Sequence, residues 1–209
     1  DWEVKYLRDK LAKDYQIEFV KQPLNEKTVK KAENADGIGI FIYSSINEKV
    51  LKKMPKLKFI ATMSTGFDHI NLKACEARKV RVANVPTYGE NTVAEHAFAL
   101  LLALSRKIVE SVDRVKKNDF SLEGLEGFDL KGKTIGVIGT GNIGRNAIRI
   151  AKGFQMNVIA FDPFPNQQAA KELGFQYVSF DDLLRQSEII TIHCPYNEKT
   201  HHLIDKKAV

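Results

Sequence analysis

Three glycines and an aspartate are spaced in this chain for one kind of chemistry. Gly139, Gly141 and Gly144 stand in the pattern G-x-G-x-x-G, written Gly-Thr-Gly-Asn-Ile-Gly. The pattern alone is weak. Here an apolar run precedes it, helix-forming residues follow, and Asp162 closes the next apolar run, which is the strand–turn–helix–strand context that gives it meaning. Gly139 permits a tight turn. Gly141 lets the backbone approach a pyrophosphate, and Gly144 allows close packing of helix on strand. The first turn of such a helix offers unpaired N–H groups and a partial positive charge to phosphate oxygens. A carboxylate at Asp162 can accept from both hydroxyls of an adenosine ribose and repels a 2′-phosphate. No arginine stands beside it; Pro163, Phe164, Pro165 and Asn166 follow. The chemistry is dinucleotide binding, with NAD favoured over NADP. Two other readings stay open at this level: a glycine turn that binds nothing, and a site for S-adenosylmethionine.

A second candidate lies in the run 188–195, which ends in His193, Cys194 and Pro195. Ligands of open α/β sheets sit beyond the carboxyl ends of strands, so these residues should border the same ligand. His193 could equally just cap a strand. His201 and His202 are adjacent rather than one helical turn apart, which argues against a metal site. His96 lies in a helical stretch and reads as an interior or interface residue. Cys75 and Cys194 are too few for a disulfide framework and lack metal-type spacing; they fit a reducing cytoplasm.

The elements that must position these groups alternate along the chain. The apolar run at 36–43 predicts a strand covered on both faces, those at 57–62 and 188–193 further buried strands, and 80–84, 133–138 and 157–161 strands as well. Residues 16–20 predict a further short strand, and 177–180 an extended segment. Helices are predicted over 2–15, 25–32, 47–54, 71–78, 142–152, 167–173 and 181–186, with Asn25 as one cap and Ser179 or Asp181 as another. Residues 92–117 contain neither Gly nor Pro, and their apolar residues recur at helical spacing, which predicts one long amphipathic helix. A glycine-containing loop follows at 121–128. Alternation of this kind predicts α/β layering around mostly parallel sheets, with a boundary near the start of the long helix.

Composition fits that class. The chain has 209 residues, 44% hydrophobic and 28% charged, enough for one large or two small domains. No apolar run reaches the ~20 residues of a membrane helix, and the first residues carry no signal-peptide pattern. The net charge of +6 comes from lysines scattered among acidic residues. That describes solvated surface, so no nucleic-acid partner is expected.

Three segments together carry a resemblance. They are the run 84–96 (Asn-Val-Pro-Thr-Tyr-Gly-Glu-Asn-Thr-Val-Ala-Glu-His), the glycine turn, and His193-Cys194-Pro195 with Thr200 after it. In this order the chain resembles the D-isomer-specific 2-hydroxyacid dehydrogenases, and its Tyr-x-x-Asn-x-Val-Ala-Glu-His form resembles the D-lactate dehydrogenase branch. The resemblance implies two flavodoxin/Rossmann-like domains with parallel sheets: a substrate domain over 1–91 and an NAD-binding domain over 92–209, the second incomplete in this chain. It implies NAD, a small 2-keto or 2-hydroxy acid substrate, and a homodimer held partly by the long helix. Residue by residue, it puts Asn142 and Ile143 at the pyrophosphate and Asp162 at the ribose. Cys194, Pro195 and Thr200 would line the cofactor pocket, with Val93 at the nicotinamide. Thr65 and Gly66 would hold the substrate carboxylate through their N–H groups, with Ser64 and Tyr88 nearby. From its residues alone, that last segment is a plain strand-to-helix turn with Gly66 in a left-handed conformation.

The family's catalytic arginine, histidine and glutamate have no match here. They are expected beyond Val209, so no catalytic residue is assigned and the 209-residue chain is expected to be inactive. A first strand is expected ahead of the opening helix. Besides an enzyme, the resemblance allows an NAD-sensing interaction protein, or corepressor, with little turnover.

Overall fold

The computed structural model describes residues 2–206 and 208. The chain divides into two compact units, Asp1–Tyr88 and Gly89–Val209. Both are α/β with parallel sheets, the class expected from the alternation.

The first unit opens with helix α1 (Trp2–Leu11), none of whose residues is buried. It is shorter than the predicted 2–15. Residues 16–20 form no strand: Ile17 and Phe19 are half-buried, but the segment enters no ladder. Predicted helix 25–32 is a turn leading into a single 3₁₀ turn at Val29–Lys31. Asn25 still acts locally, its side chain accepting the Lys27 N–H at 2.9 Å. Three strands follow, β1 (Gly37–Ile40), β2 (Phe59–Thr62) and β3 (Arg81–Ala83), paired parallel in the order β1-β2-β3. Strand β1 ends before Phe41, Ile42 and Tyr43, which are exposed. An apolar run measures hydrophobicity, not the length of a ladder. Helices α2 (Glu48–Lys52) and α3 (Leu72–Ala77) are N-capped by Asn47 and Asn71. Ile46, Val50, Leu51, Met54, Ile60 and Ile70 are among the core residues between helices and sheet.

The second unit begins with α4 (Glu90–Ser105) and α5 (Ile108–Lys116). These replace the single helix predicted over 92–117. The break sits at Lys107, whose φ of 52° is left-handed. Its cause lies further along the chain, at Phe128. The Ser105 carbonyl accepts the Phe128 N–H at 3.0 Å and so is committed to the returning chain rather than to the next turn of helix. No residue at 105–107 signals this.

Strand β4 (Thr134–Ile138), helix α6 (Asn142–Gly153) and strand β5 (Asn157–Phe161) follow with bounds within a residue of those predicted. Then come α7 (Gln167–Leu173), the two-residue β6 (Gln176–Tyr177), α8 (Phe180–Gln186) and β7 (Ile189–Ile192). Ser179 caps α8, accepting the Asp182 N–H at 3.1 Å. The sheet is parallel, in the order β6-β5-β4-β7. Its core gathers Ile135, Val137, Ala147, Ile148, Ala151, Val158 and Ala160, with Ala94 and Phe98 of α4. The chain moves outward from β4 to β5 and β6, then returns to β7 on the other side of β4. That reversal is a topological switch point, where open α/β sheets bind ligands. Among the described residues, no helix is long and apolar enough to cross a membrane.

Candidate dinucleotide site

The glycine turn lies where β4 leaves the sheet, between its neighbours β5 and β7. Gly139 has a φ of +89°, so the tight turn needs glycine there. A Cβ on it would lie 2.7 Å from the His193 carbonyl oxygen, so the end of β7 packs directly on the turn. The His193 N–H donates to the Ile138 carbonyl at 2.7 Å. A Cβ on Gly144 would collide with the Gly139 carbonyl, which is the close helix–strand approach expected of it. Gly141, at the N-cap of α6, would put its Cβ in open space.

The turn fits a pyrophosphate. Gly141 has no side chain with which to cap the helix, and the first N–H paired in this turn is that of Arg145, to the Gly141 carbonyl at 2.9 Å. The N–H groups of Asn142, Ile143 and Gly144 precede it in the unpaired first turn. The Asn142 side chain is occupied elsewhere, donating to Glu90 Oε1 at 3.2 Å and accepting from Arg145 at 2.6 Å. Its main chain is what remains for an anion.

Asp162 stands at the end of β5, facing this turn. Its Oδ2 accepts from the Thr140 N–H at 2.7 Å and the Thr140 hydroxyl at 2.9 Å. Its Oδ1 accepts from the Phe164 N–H at 2.9 Å. A carboxylate has about four acceptor positions, so three are taken and one on Oδ1 remains. Burial opposes the charge, but the Thr140 and Phe164 N–H groups and the Thr140 hydroxyl overcome it and hold Asp162 below the usual carboxylate range. The Thr140 hydroxyl also contacts the Tyr177 hydroxyl of β6 at 2.8 Å, and Tyr177 accepts the Asn166 N–H at 3.1 Å. Sequence reasoning passed over Thr140 and Tyr177. The first is a variable position of the motif, and no spacing rule connects it to the second.

The end of β7 supplies the other wall. His193 is half-buried, its Nε2 3.0 Å from the Thr191 hydroxyl, and burial lowers its pKa. Burial raises the Cys194 thiol, and the nearby Asp162 charge adds to this. The Thr200 hydroxyl donates to the Pro195 carbonyl at 2.6 Å and accepts the Asn197 N–H at 2.8 Å, closing the segment from 195 to 200 into a compact turn. The structure thus brings Gly139, Gly141, Gly144, Asp162, His193 and Cys194 to one edge of the sheet. Val93 is half-exposed on the first turns of α4, the same helix end whose Glu90 meets Asn142.

The first unit carries the other predicted group. Ser64 is buried. Its hydroxyl donates to the Gly66 carbonyl at 2.7 Å and lies 2.7 Å from the Thr62 hydroxyl, itself 3.1 Å from His69 Nε2. Thr65 donates through its hydroxyl to the Val85 carbonyl at 3.0 Å, and its own carbonyl accepts from Asn84 at 2.8 Å. These bonds engage hydroxyls and carbonyls; the N–H groups of Thr65 and Gly66 enter none of them. Gly66 is not left-handed, contrary to the simple turn reading, since it is absent from the positive-φ glycines. Its turn is shaped by the Ser64 hydroxyl instead. Tyr88 is exposed at the end of this unit.

Sheet order, glycine turn and terminal carboxylate define a dinucleotide-binding α/β protein. Comparison with known proteins gives the family. Residues 98–209 match the D-isomer specific 2-hydroxyacid dehydrogenase, NAD binding domain, and the chain belongs to that family. It is 42% identical over 197 residues to a 2-hydroxyacid dehydrogenase homolog of Haemophilus influenzae, and 40% identical over 196 residues to the D-lactate dehydrogenase of Escherichia coli K12. Each match covers 93% of this chain and 59% of the relative, so the chain spans about three-fifths of their length. The crystal structure of Aquifex aeolicus D-lactate dehydrogenase complexed with NAD and lactic acid superposes with a TM-score of 0.91 at 35% identity, covering 100% of this chain and 62% of that one.

Proposed function

We propose that this chain is the substrate-side and NAD-binding part of an oxidoreductase that interconverts a small 2-keto acid and a D-2-hydroxy acid, with pyruvate and D-lactate as the first pair. The observation that carries the reading is the pairing of the bare α6 N-terminus at Gly141 with the ionised Asp162 at the switch point. The identity to a D-lactate dehydrogenase supports the substrate pair.

In this reading the main-chain N–H groups of Asn142 and Ile143 bind the pyrophosphate. The open position on Asp162 Oδ1 accepts a ribose hydroxyl, and its charge excludes a 2′-phosphate. His193, Cys194, Pro195 and Thr200 form one wall, and Val93 meets the nicotinamide ring. The N–H groups of Thr65 and Gly66 hold the substrate carboxylate, with Ser64 and Tyr88 beside them. Bound NAD supplies the hydride chemistry, and the protein supplies position and charge. The acid/base residue is not assigned to any histidine of this chain. We further propose a cytoplasmic homodimer. Exposed Leu100, Leu104, Ile108, Val112 and Val115 on α4 and α5 supply an apolar face for the second copy.

The test is a titration of NADH and NADPH into the full-length protein, followed by NADH oxidation with pyruvate and a panel of other small 2-keto acids. Tight NADH binding with turnover on pyruvate is the expected result. No turnover on any of the panel would reject the dehydrogenase reading.

A further inference from the structure

Asp162 is held by a chain of hydrogen bonds whose polarity can be worked out proton by proton. The ionised carboxylate only accepts, so the Thr140 hydroxyl donates its proton toward Oδ2, the two oxygens 2.9 Å apart. That hydroxyl has no second proton. At the 2.8 Å contact, Tyr177 must therefore donate and Thr140 accept. The Tyr177 oxygen is then free to accept, and it accepts the Asn166 N–H at 3.1 Å. Asn166 is itself fixed, because its side chain caps α7 by accepting the Ala169 N–H at 2.9 Å. One directed relay thus runs from the start of α7, through β6, to the glycine turn and the end of β5. Each donor in it has one acceptor.

Directed chains of this kind polarise their members and strengthen the final bond to a charged group. Thr140 is buried, so water competes little with these bonds. The result is a carboxylate with Oδ2 saturated and only Oδ1 partly open.

We infer that Tyr177 is a positioning residue for the cofactor: acting through Thr140, it fixes Asp162 in the single orientation that meets the adenosine ribose and rejects a 2′-phosphate. This rests on the reading of the site as an NAD site. Tyr177 itself need touch no ligand. The choice between NAD and NADP is then set by two hydroxyl side chains as well as by the acid.

The test uses the full-length protein and the variants Tyr177→Phe, Thr140→Val and Thr140→Ser. NADH and NADPH are titrated into each by nicotinamide fluorescence, over a range of pH. Thr140→Val should lower the NADH-to-NADPH preference by about tenfold, the worth of one hydrogen bond to a charged group, and Tyr177→Phe, which removes a bond between two neutral hydroxyls, should lower it by about threefold. Thr140→Ser, which keeps the hydroxyl, should restore it. The acid limb of NADH binding should move to higher pH in the first two variants. Equal weakening of NADH and NADPH, or an unmoved acid limb, would overturn the inference, since a merely structural role predicts both.

A second measurement stands apart from cofactor binding. The Asp162 carboxyl is titrated by carbon NMR in ligand-free protein, and Tyr177→Phe should raise its midpoint. An unchanged midpoint also overturns the inference. If the native protein binds neither nucleotide, the NAD reading falls, while this titration still decides whether the relay exists.

Discussion

Two donors of Thr140, its N–H and its hydroxyl, converge on the same oxygen of Asp162 at 2.7 and 2.9 Å. A glycine turn and a neighbouring strand end are thereby locked to each other through one carboxylate. The acid proposed to recognise ribose also holds the phosphate turn in shape, so its removal should be felt in both binding and stability.

Asp162→Ala should weaken NADH binding by about tenfold or more, the scale of a charged hydrogen bond, with little change for NADPH. It also strips the Thr140 donors of their acceptor, at a cost of about 1–3 kcal/mol in urea denaturation. Unchanged affinity for both nucleotides would remove Asp162 from the site.

The pH dependence has a definite sign. Asp162 has a lowered pKa in the folded protein, so its contribution to stability is fully present above the unfolded value of about 3.9 and is lost as pH falls through the folded value. His193 also has a lowered folded pKa. Its contribution is present above about pH 6.5 and declines as pH falls below that. Urea midpoints of the native protein should decline on acidification from pH 7 to 5, and His193→Asn should flatten that decline. Asp162→Asn should lower the urea midpoint above about pH 4 and remove the further decline that the native protein shows in stronger acid.

Gly141 and Gly144 should separate binding from folding. At Gly141 the backbone is extended and a Cβ meets nothing, so Gly141→Val should leave the melting temperature nearly unchanged and abolish NADH binding. At Gly144 a Cβ strikes the Gly139 carbonyl. Gly144→Ala should cost about 1–3 kcal/mol of stability, as overpacking does. Thermal melts and NADH titrations on the pair check both halves.

The break between α4 and α5 predicts a sensitive site with no ligand role. A Cβ on Gly127 would collide with the Ser105 carbonyl, the group that receives the Phe128 N–H. Gly127→Ala should destabilise by about 1–3 kcal/mol while NADH affinity stays within twofold. A neutral result would mean that the returning chain does not hold the break.

The second unit is legible in the sequence almost element by element, because its signals are local. Apolar runs alternate with capped helices, and Gly139, Gly144 and Asp162 each answer a backbone or charge requirement that can be stated beforehand. The misses are long-range. Lys107 looks helical and is not, since its conformation follows from a bond between Ser105 and Phe128. Thr140 and Tyr177 lie thirty-seven residues apart, and only the sheet order makes them neighbours. The first unit is less legible at its start. Residues 16–20 have a strand's composition, but a strand exists only where a partner offers ladder bonds.

The two-residue length of β6 has a further effect. It forms one margin of the second sheet, and a margin of bare N–H and C=O groups is where foreign strands attach and aggregation begins. Gln176 and Tyr177 give such a strand almost no template. The Tyr177 hydroxyl is engaged by Asn166 and Thr140, which ties the short margin to its own molecule. On this side of the sheet, a foreign strand therefore meets only a two-residue template.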